Sequence, residues 1–202
     1  VGMIPATCMM HMQQLPTYTL PDDRYAVVLN ANAGRVTPRV ARALSRVVPE
    51  DRLFLTKSRE HARDVFRNCL DQKVGTVFAG GGDGTIVDTI NTLRSLAGEG
   101  TQLPSVGVLR LGTGNALAHW LGSGRPVRDL RRWEAGQVHR SVPIQMVEAE
   151  GTLFPFAGLG IDAAILNDSN LMKQRAHGKW WGKMAKGISG YLLAGYTKPM
   201  PQ

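Results

Sequence analysis

The sequence predicts an α/β protein: an open, mostly parallel sheet over residues 24–136, followed by the start of an incomplete, β-rich second domain over 137–202. Three observations predict it. Apolar strand-like runs alternate with helical periodicities from residue 24 onward. Two of those strands run directly into glycine clusters that open a helix, Gly80-Gly81-Gly82-Asp83-Gly84-Thr85 and Gly112-Thr113-Gly114-Asn115. Beyond Gly136 the pattern shortens into partly alternating segments with a hairpin signal at Gly151.

Residues 1–23 are rich in Met and Pro, lack any period and read as a flexible tail. Arg24 to Asn30 reads as a buried first strand that ends in the polar loop Asn30-Ala31-Asn32-Ala33-Gly34. Thr37 followed by Pro38 is an N-cap with proline at the first helical position, and Val40, Ala41, Leu44, Val47 and Val48 give the apolar face. Leu53 to Leu55 is a short second strand. Ser58 caps a second helix with the stripe Ala62, Val65, Phe66, Cys69 and Leu70, which makes Cys69 a core thiol. Val74 to Ala79 is the third strand, and its helix carries Ile86, Ile90, Leu93 and Ala97 at helical spacing. Val106 to Leu109 is the fourth strand; His119 and Trp120, on the helix after it, read as packing residues. Val138 to Ala149 is strand-like, and 169–202 is basic, acid-free and carries Trp180, Trp181 and Tyr191 on a helical reading.

Composition narrows the class of function. The 202 residues are 43% hydrophobic and 20% charged, as in a soluble globular chain, and no apolar run has the length of a spanning helix. Cys8 and Cys69 stand far apart and outside metal-ligand spacing, which fits a reducing compartment and a cytoplasmic protein. The first residue is Val, and Lys198 to Gln202 has no pattern, so a fragment of a longer protein is expected. A net charge of +8 calls for an anionic partner. No nucleic-acid-binding module pattern accompanies that charge, so nucleic acid is not expected, whereas the basic C-terminal helix suits peripheral contact with an anionic membrane. No motif speaks to oligomeric state.

In a parallel sheet the ligand lies beyond the carboxyl ends of the strands, where Asn30, Gly81 to Thr85 and Gly112 to Asn115 all fall. A glycine cluster at a helix N-terminus suits a phosphate, because it brings free N–H groups and the positive dipole end close to the anion. The first turn is neither a Walker A loop nor Gly-x-Gly-x-x-Gly. It differs from both in holding Asp83. A carboxylate beside a phosphate binds Mg²⁺ or takes a proton from an attacking hydroxyl; otherwise Asp83 caps the helix that follows. The turn alone leaves both readings open.

Gly81-Gly82-Asp83-Gly84-Thr85, followed one strand later by Leu111-Gly112-Thr113-Gly114-Asn115-Ala116-Leu117-Ala118, resembles the diacylglycerol kinase catalytic domain shared by diacylglycerol kinases, sphingosine kinases and bacterial lipid kinases. Asn30 to Gly34 looks like the family's Asn-Pro-x-x-Gly loop, and Ala157 to Ala163 like the opening of its second domain. The resemblance implies ATP- and Mg²⁺-dependent transfer of the γ-phosphate to a lipid hydroxyl, of diacylglycerol or a sphingoid base. It further implies that Gly81, Gly82, Gly84, Thr85, Gly112, Thr113, Gly114 and Asn115 hold the nucleotide together with Asn30 and Thr56, and that Asp83 serves Mg²⁺ or the hydroxyl. Asp88 stands where the family usually has Glu, Ala31 where it has Pro, and Pro143 and Pro155 where many relatives have Asp and Asn. The family's later acidic residues, including its proposed general base, lie past the end of this chain, so a piece of this length is expected to bind nucleotide weakly and turn over poorly. Two other readings compete: an NAD kinase-type enzyme, which shares the Gly-Gly-Asp-Gly-Thr turn, and a non-catalytic nucleotide-binding regulatory module.

Overall fold

The computed structural model describes residues 24–98, 100–137 and 141–156. The expected tail before residue 24, the second-domain opening at 157–163 and the basic helix beyond 169 lie outside the described residues. Strands β1 (Tyr25–Asn30), β2 (Leu53–Thr56), β3 (Thr76–Gly81) and β4 (Ser105–Arg110) form one sheet in the order β2-β1-β3-β4. Every neighbouring pair is parallel, so the sheet is wholly rather than mostly parallel.

Helices cover both faces, and the period-two pattern of β1 sorts the core between them. Tyr25, Val27 and Leu29 point to one side, with Leu44 of α1 (Pro38–Leu44), Val48 and Leu130 of α5 (Pro126–Glu134). Ala26 and Val28 point to the other, with Val65, Phe66 and Cys69 of α2 (Arg59–Asp71) and Leu93 of α3 (Asp83–Leu96). Leu29, Leu44 and Leu130 are fully buried, each contributing about 2 kcal/mol of apolar transfer free energy. Burial also pushes the Cys69 thiol up to about 11, so it stays protonated as a core residue.

Both expected caps form. The Thr37 hydroxyl accepts from the Val40 N–H at 3.3 Å, and the Ser58 hydroxyl from the His61 N–H at 3.1 Å. Helix α1 stops at Leu44, so Val47 and Val48 reach the core from the turn after it. Helix α3 begins at Asp83 instead of Ile86, because Gly82 is its N-cap in extended backbone; Asp83 therefore sits in the first helical turn.

Two expectations need correction. The short helix α4 (Ala116–Trp120) does not pack His119 and Trp120; both are exposed, Trp120 to 65%. Of the strand expected over 138–149, residues 138–140 lie outside the described residues, and the described part holds only β5 (Val147–Ala149), since residues 142–146 around Pro143, which has no N–H to donate, form no regular element. Helix α5 was not foreseen. It starts on Pro126 at its first turn and places Trp133 edge-on against Tyr25 and Phe78, at centroid distances of 6.2 and 5.0 Å, while Tyr25 Oη donates to the Glu134 carboxylate. The hairpin at Gly151 does form. Glu150 and Gly151 both take positive φ, 51° and 72°, as the two-residue turn between β5 and β6 (Thr152–Phe154) requires. Among the described residues no helix is long and apolar enough to cross a membrane.

Candidate functional site

Strand β1 is followed by β2 on one side and later by β3 on the other, so the topological switch point lies between β1 and β3. Asn30 closes β1 at that point. Its Oδ1 accepts from the Asn32 N–H at 2.9 Å, and its Nδ2 donates to Thr85 Oγ1 at 3.0 Å, across the crevice. The Ala31 N–H donates to the Thr56 carbonyl at 2.9 Å, and the Asn32 side chain to the Lys57 carbonyl at 3.1 Å. A proline at position 31 could not make the first of these bonds. Thr56 is buried, and its hydroxyl donates to the Leu29 carbonyl at 3.1 Å.

The glycines of the first turn divide by role. At Gly81 a β-carbon would run into the Thr85 side chain, whereas at Gly84 it would meet open space. Gly82 offers no side-chain cap to α3, so the first-turn N–H groups remain directed out of the helix end toward the crevice.

The second turn is built against the first. A β-carbon on Gly112 would collide with the Gly82 backbone, and the Leu111 N–H donates to the Gly81 carbonyl at 3.1 Å. Asn115 is 1% exposed and adopts left-handed backbone, φ 55°. Its Oδ1 accepts from the Gly112 N–H at 2.7 Å and its Nδ2 donates to the Gly112 carbonyl at 2.6 Å. The Asn115 amide thus shapes the turn from within, while Thr113 and Gly114 are exposed on it. Asp83 bridges the two turns. It does not cap its own helix: Oδ1 accepts from the Leu117 N–H at the start of α4, at 3.1 Å, and Oδ2 lies beside Gly114.

A cavity of about 440 Å³ opens next to these turns, between α2 and α3 and over the ends of β1 and β2. Asn30, Thr56 and Thr85 line it; Asp83, Gly81, Gly82, Gly84 and Gly112 to Asn115 do not. Thr85 therefore joins the glycine turns to the cavity. Val28, Ala62 and Phe66 add apolar lining, and Ser58, Arg59, Arg63, Thr89 and Thr92 add polar groups that the sequence reading did not assign. A signal for them exists: Thr85, Asp88, Thr89 and Thr92 repeat at i, i+3, i+4 and i+7, a polar stripe beside the apolar one on the same helix. Asp88, in the place of the expected Glu, is exposed and lies 3.6 Å from Arg59 of α2. Across the mouth, hydrogen bonds from its own backbone N–H and the Ser58 hydroxyl hold the Glu60 carboxyl below its usual range.

The far end of α3 holds the hairpin. Asn91 Oδ1 accepts from the Leu153 N–H at 2.8 Å, and its Nδ2 donates to the carbonyls of Leu153 and Val87 at 2.9 Å each. Arg94 adds two contacts to the Glu148 carboxylate, at 3.1 and 3.2 Å. Asn91→Leu keeps the size of the side chain and leaves both Leu153 backbone groups unpaired. It is expected to loosen the hairpin by about 2 kcal/mol, read as roughly thirtyfold faster hydrogen exchange at the Leu153 amide.

The donor chemistry fits a magnesium nucleotide. Mg²⁺ takes one or two carboxylates, substrate phosphates and water, and Asp83 is a carboxylate beside an N-terminal turn suited to those phosphates. Among the described residues no cluster of three or more His, Cys, Asp or Glu side chains forms a self-sufficient metal cage.

The parallel sheet, with two interlocked glycine turns at the carboxyl ends of β3 and β4, a carboxylate between them and a cavity alongside, defines an α/β protein. The chain belongs to the diacylglycerol kinase catalytic domain family, whose family model matches residues 24–148. This is the family that the two glycine turns resemble in sequence. The fold is similar to that of two solved structures from Bacillus anthracis str. Sterne, each carrying the provisional name diacylglycerol kinase. Both match at a TM-score of 0.51 and 20% identity, over 65% of this chain and 45% and 47% of theirs. The matched region thus spans under half of those chains. No curated protein matches the sequence significantly.

Proposed function

We propose that this chain forms the nucleotide-binding part of a kinase that transfers the γ-phosphate of ATP to a lipid hydroxyl, of diacylglycerol or a sphingoid base. The observation that carries the reading is Thr85, which stands in the first turn of α3 and also lines the cavity, so one ligand can reach both. The cavity is of small-molecule size, and its Val28, Ala62 and Phe66 surfaces suit a planar base while the polar stripe of α3 suits a ribose. The first-turn N–H groups of α3, together with exposed Thr113 and Gly114, take the phosphates. Asp83 is held by the Leu117 N–H so that one carboxylate oxygen is fixed and the other faces Gly114. That second oxygen serves the metal or the attacking hydroxyl. When bound, ATP supplies the phosphoryl group and Mg²⁺ the charge neutralisation that its transfer requires.

The test is transfer of label from [γ-³²P]ATP to a panel of diacylglycerol, sphingoid bases and other hydroxylated lipids in detergent micelles, with the full-length protein. A labelled lipid that needs Mg²⁺ is the expected result. ATP binding with no labelled lipid across the panel would instead favour the regulatory module.

A further inference from the structure

The face of the sheet opposite the cavity carries arginine and very little acid. On α1, Arg39 and Arg42, with Arg46 just past its end, repeat at helical spacing on the side away from fully buried Leu44. On α5, Arg128 and Arg132 lie opposite fully buried Leu130, and Arg125 and Arg131 flank them. All seven are exposed. Among the described residues their only carboxylate partner is Asp129, 3.7 Å from Arg128 and already accepting from the Gly124 N–H at 2.6 Å. The other face is balanced: Arg59, Arg67 and Arg94 pair with Asp88, Asp64 and Glu148. Among the described residues the net positive charge is therefore concentrated on one layer.

Leu44 and Leu130 belong to one core cluster on the same side of the sheet and α1 touches α5, so the two helices are neighbours with their arginines on the sides away from the buried leucines. Tyr25, Phe78 and Trp133, the aromatic residues of this layer, pack on one another beneath the helices and offer no exposed platform for stacking bases. Two adjacent rows form a plate and not a single ridge that could enter a groove. Arginine, with its planar fork, is the cation suited to phosphate oxygens.

We propose that the α1–α5 face is a docking surface for the phosphate headgroups of an anionic bilayer. The choice of lipid among polyanions rests on the lipid-kinase reading, and docking is expected to be electrostatic and salt-sensitive. It is tested without ATP by co-sedimentation of the full chain with phosphatidylcholine vesicles containing 30% phosphatidylglycerol. Arg42→Gln/Arg128→Gln should lower binding by about 25-fold, about fivefold per arginine. The control Arg67→Gln/Lys73→Gln removes the same charge from the α2 side and should change binding less than threefold. Equal losses in both doubles would reduce the effect to net charge and overturn the proposal. So would unchanged binding in the first double, which would assign docking to lysines elsewhere in the chain. Tighter, equally arginine-dependent binding to duplex RNA than to vesicles would also overturn it. Circular dichroism and thermal melting establish that both doubles fold. Failure of the kinase reading is seen separately, as absence of lipid phosphorylation in micelles, where bilayer charge plays no part.

Discussion

Asp83→Asn in the full-length protein is expected, on the proposed function, to lower kcat at least about a hundredfold while nucleotide affinity changes by less than about threefold. The asparagine keeps Oδ1 as an acceptor for the Leu117 N–H, so the 3.1 Å bond that ties the turn to α4 survives. What is lost is the charge, and with it the group proposed to bind Mg²⁺ or accept the hydroxyl proton, a role typically worth about 10²–10⁴-fold. Asp83→Ala additionally removes the cap from α4 and should cost about 1 kcal/mol of stability. Single-turnover kinetics beside a fluorescent-nucleotide titration measure the two terms. Full activity in Asp83→Asn would reduce Asp83 to a cap and remove it from the chemistry.

Gly112→Ala is expected to destabilise the domain by about 3 kcal/mol or more. The added methyl would occupy the position of the Gly82 backbone, and backbone cannot rotate aside as a side chain can. Any relief separates the two turns and breaks the Leu111 to Gly81 hydrogen bond. Gly84→Ala makes the contrast, since its methyl would meet open space. Urea unfolding of the two variants should show a large drop in midpoint for the first and a small one for the second, and equal midpoints would refute the packing argument.

Much of this was legible in the sequence, for reasons that differ by residue. The four strands and the helices capped by Thr37 and Ser58 were readable because burial on both faces leaves continuous apolar runs and the caps are local chemistry. The glycine turns announced themselves, but part of their cause was misread. Gly81 and Gly112 are glycine because the protein itself comes too close, at Thr85 and Gly82, and Gly114 has the Asp83 carboxylate beside it; of the glycines in the two turns only Gly84 lies open. The Asn115 amide, read as a ligand contact, is spent within its own turn, which no spacing rule reveals. Helix α5 escaped because its arginines dilute an apolar face of Val127, Leu130 and Trp133. The cavity residues of α2 and α3 were invisible for another reason. They belong to different helices and meet only once the sheet order β2-β1-β3 is known.

The lacing of Asn30 to Thr85 and of Ala31 to Thr56 is made wholly within the chain and joins the ends of β1, β2 and α3. If the cavity takes the nucleotide as proposed, loops held by such bonds need little binding free energy to order them. Differences in affinity between nucleotides are then expected in how fast each one leaves.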